Sequence, residues 1–366
     1  MNILYIITGL ELGGAEIITV DLAAKMVGLG HKVSLVYLTG ENRMRQRIHP
    51  EMPVVALAMH KNPVSLVKCI FRARQVIRQF SPDIVHANMV HANLFARLLR
   101  IFVKIPKLIC SAHSKNEGGQ LRLWLYRLTD GMSDLNTNVS QEAVDYFVKQ
   151  KAFSAQKSMP VYNGISLSRF RKDGELRHRR RACAIADDDF LFIAVGRLTA
   201  AKDYPTLIEA FHLVHKKHPQ TKLIVIGKGE LQTAIEQRIA AKHLNNHILL
   251  WGVRTDVETC YNMADCFVLS SAWEGFGIVL AEAMACELPV ITTDAGGCAE
   301  VVGQPEWVVP VKNSALLAQK MSETVELSIR ERNLIGINNR HLAQRFDINT
   351  IVEQWENLYQ RLDSNS

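Results

Sequence analysis

The chain has 366 residues, 48% of them hydrophobic and 22% charged, with a formal net charge of +7 at pH 7. That length gives a prior of two domains, and the composition is ordinary for a globular protein. Seven cysteines (Cys69, Cys110, Cys183, Cys260, Cys266, Cys286 and Cys298) are scattered without a Cys-x-x-Cys pair, which argues against a disulfide framework or a cysteine zinc site and fits a reducing cytosol.

The charge is one-sided. Residues 1–170 carry 21 Lys and Arg against 11 Asp and Glu, whereas residues 171–366 carry 22 against 25. The N-terminal excess points to an anionic partner: a membrane surface, nucleic acid or a phosphorylated substrate.

The chain opens without an early basic region, and its first apolar run is too short to span a bilayer. Residues 3–8 therefore read as a buried strand, and no later segment gives about 18 apolar residues in a row. A helix is predicted over 15–29, a strand over 32–38, a helix over 64–80 and a strand over 83–86. A helix over 93–102 and a strand over 108–112 come next. Pro160 and Asn163-Gly164 are turn signals, and the charged stretch 171–181 has little apolar content, so a domain boundary is expected near 165–180.

The pattern then restarts. Strands are predicted over 190–195, 223–226, 248–250, 266–269 and 289–292. Helices are predicted over 204–215, 230–243, 257–263, 277–285, 314–327 and 347–362. Strands alternating with helices of this length are the mark of a parallel α/β sheet.

The densest chemistry lies in 270–284. Glu274 and Glu282 stand eight apart across a strand-to-helix junction. Phe276, Gly277 and Ile278 fall at the helix start, where unpaired N–H groups and the positive dipole end favour a phosphate. One carboxylate could accept hydrogen bonds from sugar hydroxyls and the other could hold a ribose. Two glutamates at this spacing are most often a solvated pair, but Glu282 sits among Val279, Leu280, Ala281, Ala283 and Met284 and needs a partner.

This segment resembles the E-x7-E motif of retaining glycosyltransferases with the GT-B fold, family 4, and the resemblance runs nearly the whole chain. It implies that Glu274 contacts the donor sugar, that Glu282 binds the ribose, and that amides around Phe276–Ile278 meet the sugar and distal phosphate. Val195-Gly196-Arg197-Leu198 and Lys202 resemble the strand end that neutralises the pyrophosphate. Two fixed cations would stabilise the departing nucleoside diphosphate without a metal. Lys202-Asp203 departs from the common Lys-Gly step but keeps the cation.

Gly227-Lys228-Gly229 resembles the family's Gly-x-Gly turn. Trp251-Gly252-Val253-Arg254 resembles the loop that receives the base through backbone groups at Val253, with Arg254 over it. In the N-terminal half, Gly13-Gly14-Ala15-Glu16 resembles a Gly-Gly-Ala-Glu loop whose glycines admit the diphosphate or the acceptor. It is not a Gly-x-Gly-x-x-Gly fingerprint, and no acidic ribose ligand comes after the second strand, so no nicotinamide site is read. His113, just past a strand, resembles an active-site histidine near the donor sugar. A lone histidine is more often structural. Ser140, Asn163-Gly164 and Gly296-Gly297 with Glu300 match recurring family positions, read as turn, hinge or site-lining elements. His86, Asn88 and His91 are placed towards the acceptor.

The fold class implied is α/β, with two Rossmann-like domains facing each other across a cleft (GT-B). An acceptor-binding domain is expected over 1–170 and a nucleotide-sugar-binding domain over 171–345, with a helix over 346–366 packing back on the first. The expected reaction is retaining, metal-independent transfer of a hexosyl or N-acetylhexosaminyl group from a nucleoside diphosphate sugar, UDP-linked, to a hydroxyl acceptor. No cofactor beyond the donor and no metal ligand is expected. A UDP-sugar epimerase and a silent sugar-nucleotide binder are the alternatives. Basic helices around Lys68, Arg72, Arg74 and Arg78, and around Arg97, Arg100, Lys104 and Lys107, suggest peripheral contact with an anionic membrane. That favours a lipid-linked precursor of a bacterial surface polysaccharide as acceptor, at the inner face of the cytoplasmic membrane. No nucleic-acid module is seen.

Overall fold

The computed structural model describes residues 1–11, 13–115, 118–183 and 185–364. The chain divides into two units, Met1–Gly164 with Asn349–Ser366, and Ile165–Ile348. The first unit runs β1 (Asn2–Ile7), α1 (Gly14–Gly28), β2 (Lys32–Tyr37), β3 (Val54–Ala56), α2 (Pro63–Phe80), β4 (Ile84–Asn88), α3 (Val90–Phe102), β5 (Lys107–Ser111), α4 (Gln120–Thr129), β6 (Leu135–Asn138), α5 (Gln141–Lys149) and β7 (Ser158–Pro160). The second runs β8 (Phe190–Val195), α6 (Tyr204–Lys217), β9 (Thr221–Ile226), α7 (Gln232–Ala241), β10 (Ile248–Gly252), α8 (Val257–Met263), β11 (Cys266–Leu269), α9 (Ile278–Ala285), β12 (Val290–Thr293), α10 (Cys298–Val302), β13 (Val308–Val309), α11 (Ser314–Glu326) and α12 (Ile329–Ala343). Helix α13 (Ile348–Ser364) belongs from Asn349 onward to the first unit.

Strand order is β3-β2-β1-β4-β5-β6-β7 in one sheet and β10-β9-β8-β11-β12-β13 in the other. The central pairs β1–β2, β1–β4, β8–β9 and β8–β11 are parallel. Parallel strands are covered on both faces, which is why runs such as residues 3–7 are apolar throughout rather than alternating. In each unit the winding reverses beside the first strand, between β1 and β4 and between β8 and β11. Doubly wound sheets bind ligands outside the carboxyl ends of the strands at that reversal.

The division falls after Gly164, not at residue 170. Ile165 N donates to Phe346 O at 2.8 Å and Ile348 N to Ile165 O at 2.9 Å, so residue 165 is already tied to the second unit. Arg340 adds bonds to the carbonyls of Leu167 and Phe170. The charged stretch that read as a linker forms 3-10 turns over Gly174–Cys183. Its Arg180 is fully buried, donating to Asp265 Oδ2 at 2.7 Å and to Met263 O at 2.6 Å.

A polar chain runs through the first unit's core. Tyr359 on α13 meets Tyr5 on β1 at 2.8 Å and His86 Nδ1 on β4 at 2.7 Å. His86 Nε2 meets Ser111 Oγ at 2.6 Å, and Ser111 meets Thr137 Oγ1 at 2.6 Å. The Trp355 ring packs tilted against the imidazole, 4.5 Å between centroids. Burial, with His113 nearby, pushes His86 down to about 3, so it stays neutral. This corrects its placement towards an acceptor: at 1% exposure it is a core residue. Arg97 is corrected likewise. It is fully buried, donating to Asn136 Oδ1 at 2.7 Å and Tyr126 O at 3.1 Å, and is no part of a basic surface. Six of the cysteines are buried, Cys183 is half-buried, and all seven are free thiols.

Candidate active site

At the switch point of the second unit, β8 ends in Gly196-Arg197 and β11 in Ser270-Ser271. Hydrogen bonds to main-chain carbonyls join the loops beyond these strand ends. Ser270 Oγ donates to Lys202 O at 2.8 Å, and Ala272 N donates to Ala201 O at 2.8 Å. The loops carrying Lys202 and Glu274 are thus held as one piece. Lys202 Nζ donates to Glu274 Oε2, which also accepts from Ser271 Oγ at 3.0 Å. The Lys202 stem lies flat on Gly196, where an added Cβ would stand 2.9 Å from its Cε. Arg197 is exposed and has no ion-pair partner among the described residues.

The loop with Arg197 is braced from behind by the β9–α7 turn. Gly227, at φ +142°, passes so close that a Cβ would lie 1.9 Å from Gly196 O, and one on Gly229 would lie 2.3 Å from Leu198 O. Leu198 N donates to Lys228 O at 3.1 Å and Leu231 N to Leu198 O at 3.0 Å. The Gly-x-Gly turn therefore serves as a backbone-to-backbone support for the cation loop.

On the other side, Gly277 caps α9 in the left-handed region at φ +77°, where a Cβ would also crowd Leu280 and Cys298 at 3.1 and 3.2 Å. Phe276 is buried, its ring packed edge-on against Phe346 at 5.1 Å between centroids. Glu282 finds the partner that its apolar surroundings demand: Tyr261 OH on α8 donates to Oε2 at 3.0 Å. Burial still raises Glu282 to about 7, against the lowering pull of the Tyr261 bond and Arg169.

Val253 is exposed at the end of β10. Arg254 Nε and Nη2 donate to Asp256 at 2.9 and 2.7 Å, with the guanidinium 5.6 Å from the Trp251 ring. A pocket of about 550 Å³ is lined by Trp251, Arg254, Asp256, Thr259 and Met263.

In the first unit, Gly13 caps α1, and a Cβ on it would meet the Glu16 carboxylate at 2.3 Å, whereas nothing lies within 4 Å of one on Gly14. His113 Nε2 bonds Asn88 Oδ1 at 3.0 Å, and Asn88 Nδ2 donates to His86 O at 3.3 Å. That orientation of the amide makes Nε2 the protonated nitrogen. Burial lowers His113 to about 4, so the ring is neutral near pH 7. His91 is exposed beside Arg122, at 3.4 Å. Ser140 caps α5, accepting from Ala143 N at 3.2 Å, and Gly297 caps α10 with Glu300 in its first turn.

The structure brings together Gly196, Arg197, Lys202, Gly227, Glu274 and Gly277 within the second unit, with Glu282 further along α9 against Tyr261, while Gly13, Gly14 and His113 belong to the first. Tyr261 and Ser271 were not anticipated. Ser271, three residues before Glu274, had a local signal. Tyr261 lies 21 residues before Glu282 on another helix, and spacing carries no trace of the contact.

Two doubly wound parallel units in one chain form the GT-B fold. The chain belongs to the glycosyltransferases: residues 12–169 match the family model described as Glycosyltransferase Family 4, and residues 177–341 match that described as Glycosyl transferases group 1. It is 24% identical over 340 residues to an uncharacterized glycosyltransferase of Methanocaldococcus jannaschii, covering 80% of this chain and 83% of that one. It is 25% identical over 303 residues to the putative glycosyltransferase EpsD of Bacillus subtilis, covering 78% of each. HepE of Anabaena, solved in complex with UDP, superposes with a TM-score of 0.88 at 22% identity, covering 99% of this chain and 100% of that one.

Proposed function

We propose that this glycosyltransferase moves a hexosyl or N-acetylhexosaminyl group, with retention and without a metal, from a UDP-sugar to a hydroxyl of a lipid-linked surface-polysaccharide precursor. The observation that carries the reading is the Lys202–Glu274 contact beside the exposed Arg197 at the β8–β11 switch point. Two cations there meet the charge that grows on a departing diphosphate, in a geometry fixed before the reaction. Glu274 Oε1 has no partner among the described residues and can accept from sugar hydroxyls. Glu282, steadied by Tyr261, accepts from ribose hydroxyls, and the N-terminus of α9 faces the phosphate. His113, neutral near pH 7, offers the donor sugar a polar group without a charge.

Support for UDP comes from HepE, solved with UDP and with UDP-glucose. A capsular polysaccharide biosynthesis glycosyltransferase, CapM of Staphylococcus aureus, is 30% identical over 205 residues, which supports a surface glycan. No helix among the described residues is long and apolar enough to cross a membrane. The basic first unit favours work at the inner face of the cytoplasmic membrane on an acceptor already held there.

The test is release of nucleoside diphosphate from a panel of sugar nucleotides in EDTA, with and without membrane lipid extract. Release from one donor, stimulated by extract and reduced about 10²–10³-fold by Glu274→Ala, supports the reading. Binding without release in the presence of extract would favour a silent binder. Release that requires a divalent metal would overturn the metal-independent part. His113→Ala reports separately on the histidine: an unchanged kcat would remove it from the mechanism.

A further inference from the structure

Large apolar side chains are exposed in the first unit in an uneven way. Among its described residues all but Leu29 lie on three helices, α2, α3 and α4. On α4, Leu121, Trp124 and Leu128 are 69%, 54% and 60% exposed. Positions i, i+3 and i+7 share one helix face. The opposite face is a finished core, with Tyr126 fully buried and Leu123 packed beside it. On α2, Val64, Val67 and Phe71 repeat the same spacing and are also exposed. Helix α3 packs against both neighbours and ends in exposed Ile101 and Phe102. Single exposed apolar residues need no explanation, but eight on three adjoining helices do.

The charge around them is predominantly positive. Residues 52–129, which span the three helices, hold twelve Lys and Arg and two acids, Asp83 and Glu117. Lys68, Arg72 and Arg78 on α2, Lys104 after α3 and Arg127 on α4 are exposed. The two acids that come directly after α4 in the chain are taken: Asp134 pairs with Arg100 at 2.7 Å, and Asp130 with Lys157 at 3.4 Å. A second copy of the same face would therefore meet like charge, whereas an anionic bilayer meets opposite charge and accepts the apolar stripe. A Trp and leucines flanked by arginines is the composition of a helix lying in the headgroup region.

We propose that the outer face of α2, α3 and α4 docks on an anionic bilayer, with Leu121, Trp124 and Leu128 entering the headgroup region. Lys68, Arg72, Arg78, Lys104 and Arg127 lie against lipid phosphates. This deepens the reading of a lipid-linked acceptor, but its test is independent of transfer.

The full chain is sedimented with vesicles of phosphatidylcholine alone, or mixed in equal parts with phosphatidylglycerol, at low and high salt. Binding is expected to the anionic vesicles only, weaker at high salt. Brominated lipid should quench tryptophan fluorescence in the wild type and lose most of that effect in Trp124→Phe. Leu121→Ser with Leu128→Ser should weaken vesicle binding about tenfold, with UDP binding unchanged. If that variant misfolds, Lys68→Glu with Arg72→Glu should weaken binding comparably. Equal binding to both vesicle types, no binding, or quenching unchanged in Trp124→Phe would overturn the proposal. So would a dimer in solution that Leu121→Ser with Leu128→Ser dissolves. Vesicle binding by a protein that binds no sugar nucleotide would sink the proposed donor and leave the docking surface standing.

Discussion

Gly227→Ala tests whether the β9–α7 turn sets the position of the cation loop. At φ +142° the backbone is in a region that side chains rarely adopt, and the new methyl would stand 1.9 Å from Gly196 O and 2.8 Å from Gly196 C. The strained backbone costs about 1–3 kcal/mol, and relieving the overlap costs about 1–3 kcal/mol more. The neighbour is main chain at a strand end, so it cannot swing aside as a side chain would. Ordinary contact begins near 3.4 Å. Gly196-Arg197 must therefore retreat by more than an ångström, and a displacement of that size costs about 10²-fold in rate. The expected outcome is an unfolding free energy lowered by about 2–6 kcal/mol, with kcat for nucleoside diphosphate release down about 10²-fold. Wild-type stability and kcat together would refute the reasoning, because they would mean that the turn does not support the loop.

Gly14→Ala should leave stability within about 0.5 kcal/mol, since nothing lies within 4 Å of its Cβ; a fall in kcat/KM without a fall in stability would show that a substrate fills that space. Glu282, raised to about 7, is protonated below that pH, and its carboxylate accepts more strongly when ionised. Donor KM should therefore fall as pH rises from about 6 to 8, and Glu282→Gln should flatten the profile; parallel profiles for the two proteins would refute the ribose role. Asp265→Ala strips the buried Arg180 of its partner at 2.7 Å and should cost about 3–5 kcal/mol in urea unfolding, and a loss below 1 kcal/mol would count against the pair.

The alternation of strand and helix was legible because parallel strands such as 3–7 and 190–195 are apolar end to end and helices such as α2 and α6 between them are amphipathic. Helix α4 was not, because its apolar stripe faces outward while Tyr126 fills the core, so the periodicity has the wrong sense. Strands β3 and β13 are three and two residues long and too short to show a period. At the site, the placement of Glu274 and Gly277 at the entry to α9 was readable from one local segment whose residue types are unusual together, whereas Lys202, 72 residues before Glu274, meets it only in the fold. Arg97 was misread because a buried guanidinium with carbonyl partners looks in sequence like a surface cation. Tyr261 and Tyr359 act across long separations, which only folding brings to contact distance.

The return of α13 to the first unit has a consequence for synthesis. The hydroxyl that satisfies both Tyr5 and His86 belongs to Tyr359, 354 residues after Tyr5. Everything from Ile165 to Ile348 is made in between. The second unit can thus complete its own core on the ribosome while the first waits, holding a buried imidazole and phenol without their partner. Domains made first usually fold first; here the earlier half must be finished last, and a nascent chain arrested just short of α13 should display a folded second unit beside an unfinished first.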